Sequence, residues 1–376
     1  MEKIYLDYNA STPVADEVVD EMRPFLNDFY GNPSALHWAG RPVKEKLMIA
    51  RNQVANLLSC SPDEIIFTSG GSEANNLALK GYYFKHQGKG AHIITSRIEH
   101  PAILNPLRFL ERLGAEITMV DVDQYGMVSP QDIANAIRED TILITIMHAN
   151  NEVGTIQPID EIGEIARRYD IAFHTDASQS VGKVPLDVEK MNVDMLTIAG
   201  HKLYAPKGIG ALYLRKGIEV EPLIHGAGHE FGLRAGTENT LLAVGLGKAC
   251  ELAQEYLKDT KLEELTNYFW NQLRDAFGSE VTLNGHEKRR LPNTLNVSFV
   301  NRMGQDILDA IPLLAASTGS ACHSGKIELS PVLREMGVPE NIGMGAIRFS
   351  LGRYTTKEEI DQVVIWLGRF LKDCCF

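Results

Sequence analysis

The sequence predicts an α/β fold: a mainly parallel sheet with helices on both faces, joined to a smaller α+β domain. Three observations carry this prediction. Short apolar runs alternate with helical patterns from residue 64 to about residue 214. Polar residues of chemical interest fall just after those runs, where open α/β sheets bind ligands. Beyond about residue 240 the alternation stops, and two long helical stretches lead into a few isolated strands.

Taken in order, residues 3–7 read as a short extended arm, and Pro13 is placed to start a helix continued by Val18, Met22 and Phe25. Val43, Leu47, Ala50, Val54 and Leu57 mark a helix over 40–58. The strand Glu64–Thr68 runs into Ser69-Gly70-Gly71-Ser72 and an apolar helix, so strand, glycine turn and helix form a candidate phosphate cradle. Many such turns carry glycine for geometry alone. Strands follow at His92–Thr95, Glu116–Val122, Ile142–Met147, Ile171–Thr175, Asp194–Ile198 and Ala211–Leu214, with a helix capped by Ser129 and started by Pro130 among the intervening ones. The second part reads as helices Leu241–Leu257 and Leu262–Phe277, strands Thr294–Phe299 and Ile347–Leu351, and a final helix Lys357–Lys372.

The 376 residues suffice for two domains and a large core. A net charge of −12 disfavours nucleic acid or an anionic membrane as the main partner, while leaving room for a local anion pocket. No stretch approaches a transmembrane span, and the first residues have no secretory h-region. Five cysteines, odd in number and unevenly spaced, argue against a disulfide framework and for a reducing, cytoplasmic setting. No Cys/His cluster has metal-site spacing.

Four residues share a place just after strands: His100, Asn151, Asp176 and Lys202. A pyridine cofactor works as an electron sink only while its ring nitrogen stays protonated, which calls for a buried carboxylate. Asp176, following Ile171-Ala172-Phe173, suits that need, and an imidazole such as His100 suits stacking on the ring. Lys202, 26 residues beyond Asp176, suits a Schiff-base lysine, because desolvation on a loop after a buried strand frees its amine. Each has a plainer reading as well: Asp176 and His100 as helix N-caps, His100 as a core histidine, Lys202 as a surface lysine.

The segments His174-Thr175-Asp176-Ala177-Ser178-Gln179 and Gly200-His201-Lys202-Leu203-Tyr204-Ala205-Pro206 resemble the pyridoxal-phosphate-dependent cysteine desulfurases and the related selenocysteine lyases. The resemblance spans nearly the whole chain, through Tyr5-Leu6-Asp7-Tyr8-Asn9-Ala10, Thr68-Ser69-Gly70-Gly71-Ser72-Glu73, Met147-His148-Ala149-Asn150-Asn151-Glu152, Arg234-Ala235-Gly236-Thr237-Glu238-Asn239, Gly319-Ser320-Ala321-Cys322 and Arg348-Phe349-Ser350-Leu351-Gly352-Arg353.

It implies an aspartate-aminotransferase-like fold (fold type I) and a homodimer. It further implies a large pyridoxal-phosphate domain over 15–245, and a small domain of 1–14 with 246–376 that carries a mobile cysteine loop. By family role, Lys202 holds the cofactor and shuttles the Cα proton, His100 stacks on the ring and is a candidate catalytic acid/base, and Asp176 pairs with the pyridinium. Gln179 and Asn151 contact the ring oxygen and substrate. Gly71, Ser72 and His201 bind phosphate with Thr237 from the other subunit. Arg348 clamps the substrate carboxylate, with Arg353 and Asn9 nearby as weaker candidates.

Cys322 is then the nucleophile that takes sulfur from L-cysteine, giving L-alanine and a persulfide for transfer to an acceptor protein. A selenocysteine lyase acting on L-selenocysteine is the alternative, favoured by Cys322-His323-Ser324 and Asn9. A partner-binding protein without turnover is a distant third. Cys60, Cys250, Cys374 and Cys375 read as structural or incidental. Two departures stand out: Ala199 where a serine hydroxyl is frequent, worth about 1 kcal/mol of phosphate binding, and Phe231 where an arginine is frequent.

Overall fold

A computed structural model describes residues 3–319, 322–323 and 326–373. Its main sheet has seven strands: β1 (Ile65–Thr68), β2 (His92–Ser96), β3 (Glu116–Val120), β4 (Thr141–Thr145), β5 (Ala172–Asp176), β6 (Met195–Ala199) and β7 (Gly210–Leu214). They lie in the order β1-β7-β6-β5-β4-β2-β3. β7 is antiparallel to both of its neighbours, and the other pairs are parallel.

Strand pleating sends alternate side chains to opposite faces, and with both faces covered the inner runs are mostly apolar at successive positions. Ile94, Ile144, Phe173 and Leu196 join one core with Val54, Leu58, Leu246 and Ala253. Those last four come from the helices Arg41–Leu58 and Thr240–Tyr256. Ile93, Leu143, Ala172 and Met195 face the other way, onto Leu77 and Leu107. Each fully buried side chain of this size contributes about 1.5–3 kcal/mol.

A second sheet holds β8 (Val281–Asn284), β9 (Thr294–Phe299) and β10 (Ala346–Ser350) in the antiparallel order β10-β9-β8. Leu295, Val297, Ile347 and Phe349 pack there against Phe269, Leu273, Val363 and Leu367 of the helices Lys261–Phe277 and Lys357–Asp373. β8, with the mixed pattern Val-Thr-Leu-Asn, escapes the hydrophobic reading because it is half exposed.

The arm strand Ile4–Tyr5 pairs in parallel with Leu314–Ala315, and Asp7 bridges to Ser350. Pro13 does not begin a helix. Thr12 N–H donates to the His201 carbonyl at 2.9 Å and the Ala15 N–H to the Tyr204 carbonyl at 3.1 Å, so these bonds hold the arm extended. The helix starts only at Asp16. Backbones of Cys322–His323 and Lys326–Ile327 pair as a short antiparallel hairpin. The Cys322 and His323 side chains, and Cys374 and Cys375, lie outside the described residues. Among the described residues no helix is long and apolar enough to cross a membrane.

Candidate active site

One cavity of about 400 Å³ opens beyond the carboxyl ends of β1, β5 and β6. Asn9, Gly71, Ser72, His100, Asn151, Asp176, Gln179, His201, Lys202 and Arg348 line it together. Parallel strands end on one side of the sheet, so residues far apart in sequence converge there. Thr237, expected from the other subunit, is exposed and does not line this chain's own cavity. One expected residue is elsewhere. The Arg353 guanidinium stacks between the rings of Tyr204, at 4.2 Å, and Tyr256, at 3.8 Å, beside a separate cavity.

Asp176 ends β5 and is 8% exposed. Its Oδ1 accepts from the Ser178 N–H at 2.9 Å and its Oδ2 from the Asn75 side-chain amide at 2.7 Å. The local bond to Ser178 is of the kind an N-cap makes. The bond from Asn75 is not local: it reaches from the helix after the glycine turn, and it fixes the carboxylate toward the cavity.

Lys202 lies three residues past β6, on a turn of 3-10 helix. Its Nζ donates to the carbonyls of Asn9, at 2.5 Å, and Ala10, at 2.9 Å. Burial lowers its pKa to about 8, with the Arg348 guanidinium adding to the drop and Asp7 and Asp176 opposing it. The loop beyond is held in a demanding shape. Tyr204 takes a left-handed φ of 66°, fixed by a bond from its N–H to Thr12 Oγ at 2.8 Å.

His100 caps the helix Pro101–Glu111, its Nδ1 accepting from the Ala102 N–H at 3.1 Å. That bond places the neutral ring's proton on Nε2. Burial lowers the His100 pKa, so the ring stays neutral near pH 7. Beside it, Glu99 is fully enclosed. Burial raises its pKa to about 8, against donors from Ser96 at 2.6 Å and Met147 N–H at 2.9 Å, while Asp176 adds to the rise. His201, whose Nδ1 lies 3.3 Å from Ser11 Oγ, has a pKa lowered to about 4 by burial and by Lys202 and Lys207.

The glycine turn is tightly built. Gly70 has φ 151°, a backbone shape that side chains disfavour. A Cβ on Gly71 would meet Ser178 Oγ at 3.0 Å and Ala199 Cβ at 3.1 Å. Glu73 ties the turn down, accepting from the Ser69 N–H at 2.8 Å and from Arg234 Nε at 2.9 Å. From Gly71 the chain continues as one helix to His86, through a π turn at Leu77–Gly81. β1, just before the turn, is fixed by Glu230. This carboxylate accepts from the Phe67 N–H at 2.8 Å and pairs with Arg51 at 2.7 Å inside the protein. Phe231, in the place of a frequent arginine, has φ 59° and lies over Arg51.

Arg348 on β10 donates to Asp7 Oδ1 at 2.7 Å and to the Asn151 carbonyl at 3.0 Å, while its Nε is buried without a partner. Asn75, Asp7 and Glu99 were not singled out by sequence. Their residue types are common, and only the folded chain brings them to Asp176, Arg348 and His100. Cys60 and Cys250 are inert thiols: burial pushes Cys60 up to about 12 and raises Cys250 as well.

Pyridoxal phosphate fits this donor set. A glycine-lined helix start can face its phosphate, a buried carboxylate its ring nitrogen, and an amine of lowered pKa its aldehyde.

A protein-family model for class-V aminotransferases matches residues 4–363. The chain is 50% identical over 374 residues to a cysteine desulfurase IscS of Dictyoglomus turgidum, covering 98% of this chain and 95% of that one. Among solved structures, a NifS-like protein superposes with a TM-score of 0.92 at 37% identity, covering 98% of this chain and 99% of the other. A structure titled SspA in complex with cysteine superposes with a TM-score of 0.82 at 41% identity, over 95% of this chain and 100% of the other.

Proposed function

This chain belongs to the aminotransferase class-V family, and from that premise we propose how it works as a pyridoxal-phosphate-dependent cysteine desulfurase. The observation that carries the reading is the facing of Lys202, Asp176 and Arg348 across one cavity. Bound there, pyridoxal phosphate supplies an electron sink that weakens the bonds at Cα and Cβ of an amino acid.

The chain's own residues do the rest. Lys202 holds the cofactor's aldehyde carbon and then, as a free amine, takes the Cα proton. Asp176 keeps the ring nitrogen protonated, and His100 stacks on the ring. Gly71, Ser72 and His201 hold the phosphate, and Gln179 and Asn151 the ring oxygen. Arg348 holds the substrate carboxylate, using donors it does not give to Asp7 and Asn151, and Asn9 packs beside it. The Cys322 thiolate attacks the substrate sulfur. The new S–S bond forms as the C–S bond breaks, its electron pair stays with carbon, and that carbon takes a proton to become the methyl group of L-alanine.

The persulfide on Cys322 passes to an acceptor protein in the cytoplasm, as in iron–sulfur cluster assembly or tRNA thiolation. A homodimer brings Thr237 of the partner subunit to the phosphate. Exposed apolar side chains at Tyr30, Leu36 and Trp38, the last 79% exposed, support such an interface.

The test is alanine formation from L-cysteine and L-selenocysteine, with and without dithiothreitol. Thiol-stimulated turnover of cysteine that vanishes in Cys322→Ala is the expected result. Turnover of selenocysteine alone, with cysteine only inhibiting, would overturn it.

A further inference from the structure

Behind the cavity wall, Lys183 forms no ion pair among the described residues. Its Nζ instead donates to two side-chain amides: Asn9 Oδ1 at 3.0 Å and Gln179 Oε1 at 3.2 Å. A half-buried lysine spent on two amide oxygens is unusual, since a surface position or a carboxylate partner is cheaper.

Those two bonds have a consequence for the site. An amide side chain can present its oxygen or its nitrogen in either of two orientations. Lys183 holds the Gln179 oxygen away from the cavity, and the Gln179 Nε2 then donates to the Asn9 carbonyl at 3.0 Å. That carbonyl also accepts from Lys202 Nζ. The Asn9 oxygen is held likewise, by Lys183 and by Asn293 Nδ2 at 3.0 Å, which leaves Asn9 Nδ2 to donate to Thr294 Oγ at 2.8 Å. Both Asn9 and Gln179 are buried and line the main cavity.

We infer that Lys183 is a positioning residue, which locks the Gln179 amide with its N–H₂ directed forward as the donor to the cofactor's ring oxygen. This deepens the proposed function and rests on its placing of Gln179. The lock does not need a charge on Lys183. A neutral amine still has two N–H bonds, one for each amide, so the orientation survives although burial and the nearby Lys202 and Arg348 lower the Lys183 pKa well below the ordinary range. Asp259, Lys261, Arg353, Tyr8, Tyr204 and Tyr256 line the smaller cavity that Lys183 borders on its other side.

The experiment uses the cofactor-loaded full chain and reads the pH at which its visible absorption titrates, together with the dissociation constant of pyridoxal phosphate from fluorescence. A donor on the ring oxygen stabilises that oxygen's anion, so losing the donor makes the chromophore hold its proton to higher pH. Lys183→Met is expected to raise the titration midpoint by at least about half a pH unit and to weaken cofactor binding about 3- to 10-fold, the loss of one hydrogen bond. In a Gln179→Ala background the same change should add nothing further, because the two residues act as one device. Lys183→Arg, which keeps two donors, should restore most of the wild-type midpoint.

Should Lys183→Met not fold, Lys183→Gln carries the test with an upward but smaller shift. An unmoved midpoint in the Lys183 variant, while Gln179→Ala moves it, overturns the inference and spares the placing of Gln179. An unmoved midpoint in Gln179→Ala overturns both. Additive shifts in the double variant overturn the lock, since Lys183 would then act as a charge through space.

Discussion

Arg348→Gln offers the sharpest view of how the site sets its own chemistry. In the cofactor-free protein the Lys202 amine titrates near pH 8, below an ordinary lysine, because burial and the Arg348 cation both disfavour its charge. Below that pH the amine is protonated and cannot attack an aldehyde, and above it the amine is free. At pH 7.5 about 24% of the amine is free at this pKa, against roughly 0.1% for a lysine near 10.4. Removing Arg348 acts twice in one direction. It takes away a cation that lowers the Lys202 pKa, and it unpairs Asp7, whose carboxylate lies in a 2.7 Å ion pair with Arg348 and otherwise raises that pKa. A rise of about one pH unit, at the low end for a close charge, cuts the free fraction at pH 7.5 to about 3%. Pyridoxal phosphate should then be captured about eightfold more slowly at that pH, with nearly equal rates above about pH 10. Stopped-flow absorbance of the cofactor-free protein, from pH 6.5 to 10.5, gives the rate and its midpoint. A midpoint that stays at 8 in Arg348→Gln, or a wild-type midpoint near 10.4, would refute this account of Lys202.

Three further outcomes follow from the same geometry. Asp176→Asn keeps the bond from Asn75 in reach but loses the anion, and alanine formation should fall at least about 100-fold while the visible band persists. Glu230→Ala strands the Arg51 cation and the Phe67 N–H inside the protein, at a cost of about 3–5 kcal/mol in thermal or denaturant unfolding. Arg51→Met added to that variant should return part of the loss, and an additive further loss would contradict the pairing. Glu99→Gln should change the pH dependence of stability. The Glu99 pKa is raised on folding, so wild-type stability is full below about pH 4.3, where the unfolded carboxyl titrates, and is lost as pH rises through 8. The variant should therefore gain on wild type in melting temperature between pH 5 and pH 8.

The sheet was legible because its inner parallel strands are buried on both faces, which leaves a largely apolar run with a clear end, while the edge strand Glu116–Val120 is half exposed. The expected ends of the sheet's seven strands fall within two residues of those found; in the second sheet Thr294–Phe299 agrees to the residue and Val281–Asn284 escapes the reading. What was not legible depends on distance along the chain. The bond from Asn75 to Asp176 spans 101 residues and the pair Asp7–Arg348 spans 341, and no local pattern encodes either. Pro13 misled for a related reason. Its helix-starting geometry is real, but Thr12 and Ala15 are bonded to the loop at His201 and Tyr204, and tertiary hydrogen bonds outweigh a local preference. Arg353, near Arg348 in sequence, turns out of the site because it lies on the turn beyond the strand Ala346–Ser350, where two tyrosine rings receive its guanidinium.

The arm at the start of the chain sets the order of events at the ribosome. Asn9 is made well before its partners Asn293, Thr294 and Ser350, which lie 284, 285 and 341 residues further on. At synthesis rates of roughly 5–20 residues per second, about 14 to 70 seconds pass between them. The Asn9 bonds that help fix the carbonyl receiving Lys202 therefore cannot form until residues 293–350 have emerged. A nascent chain cannot hold a vitamin-derived aldehyde in a finished pocket before then.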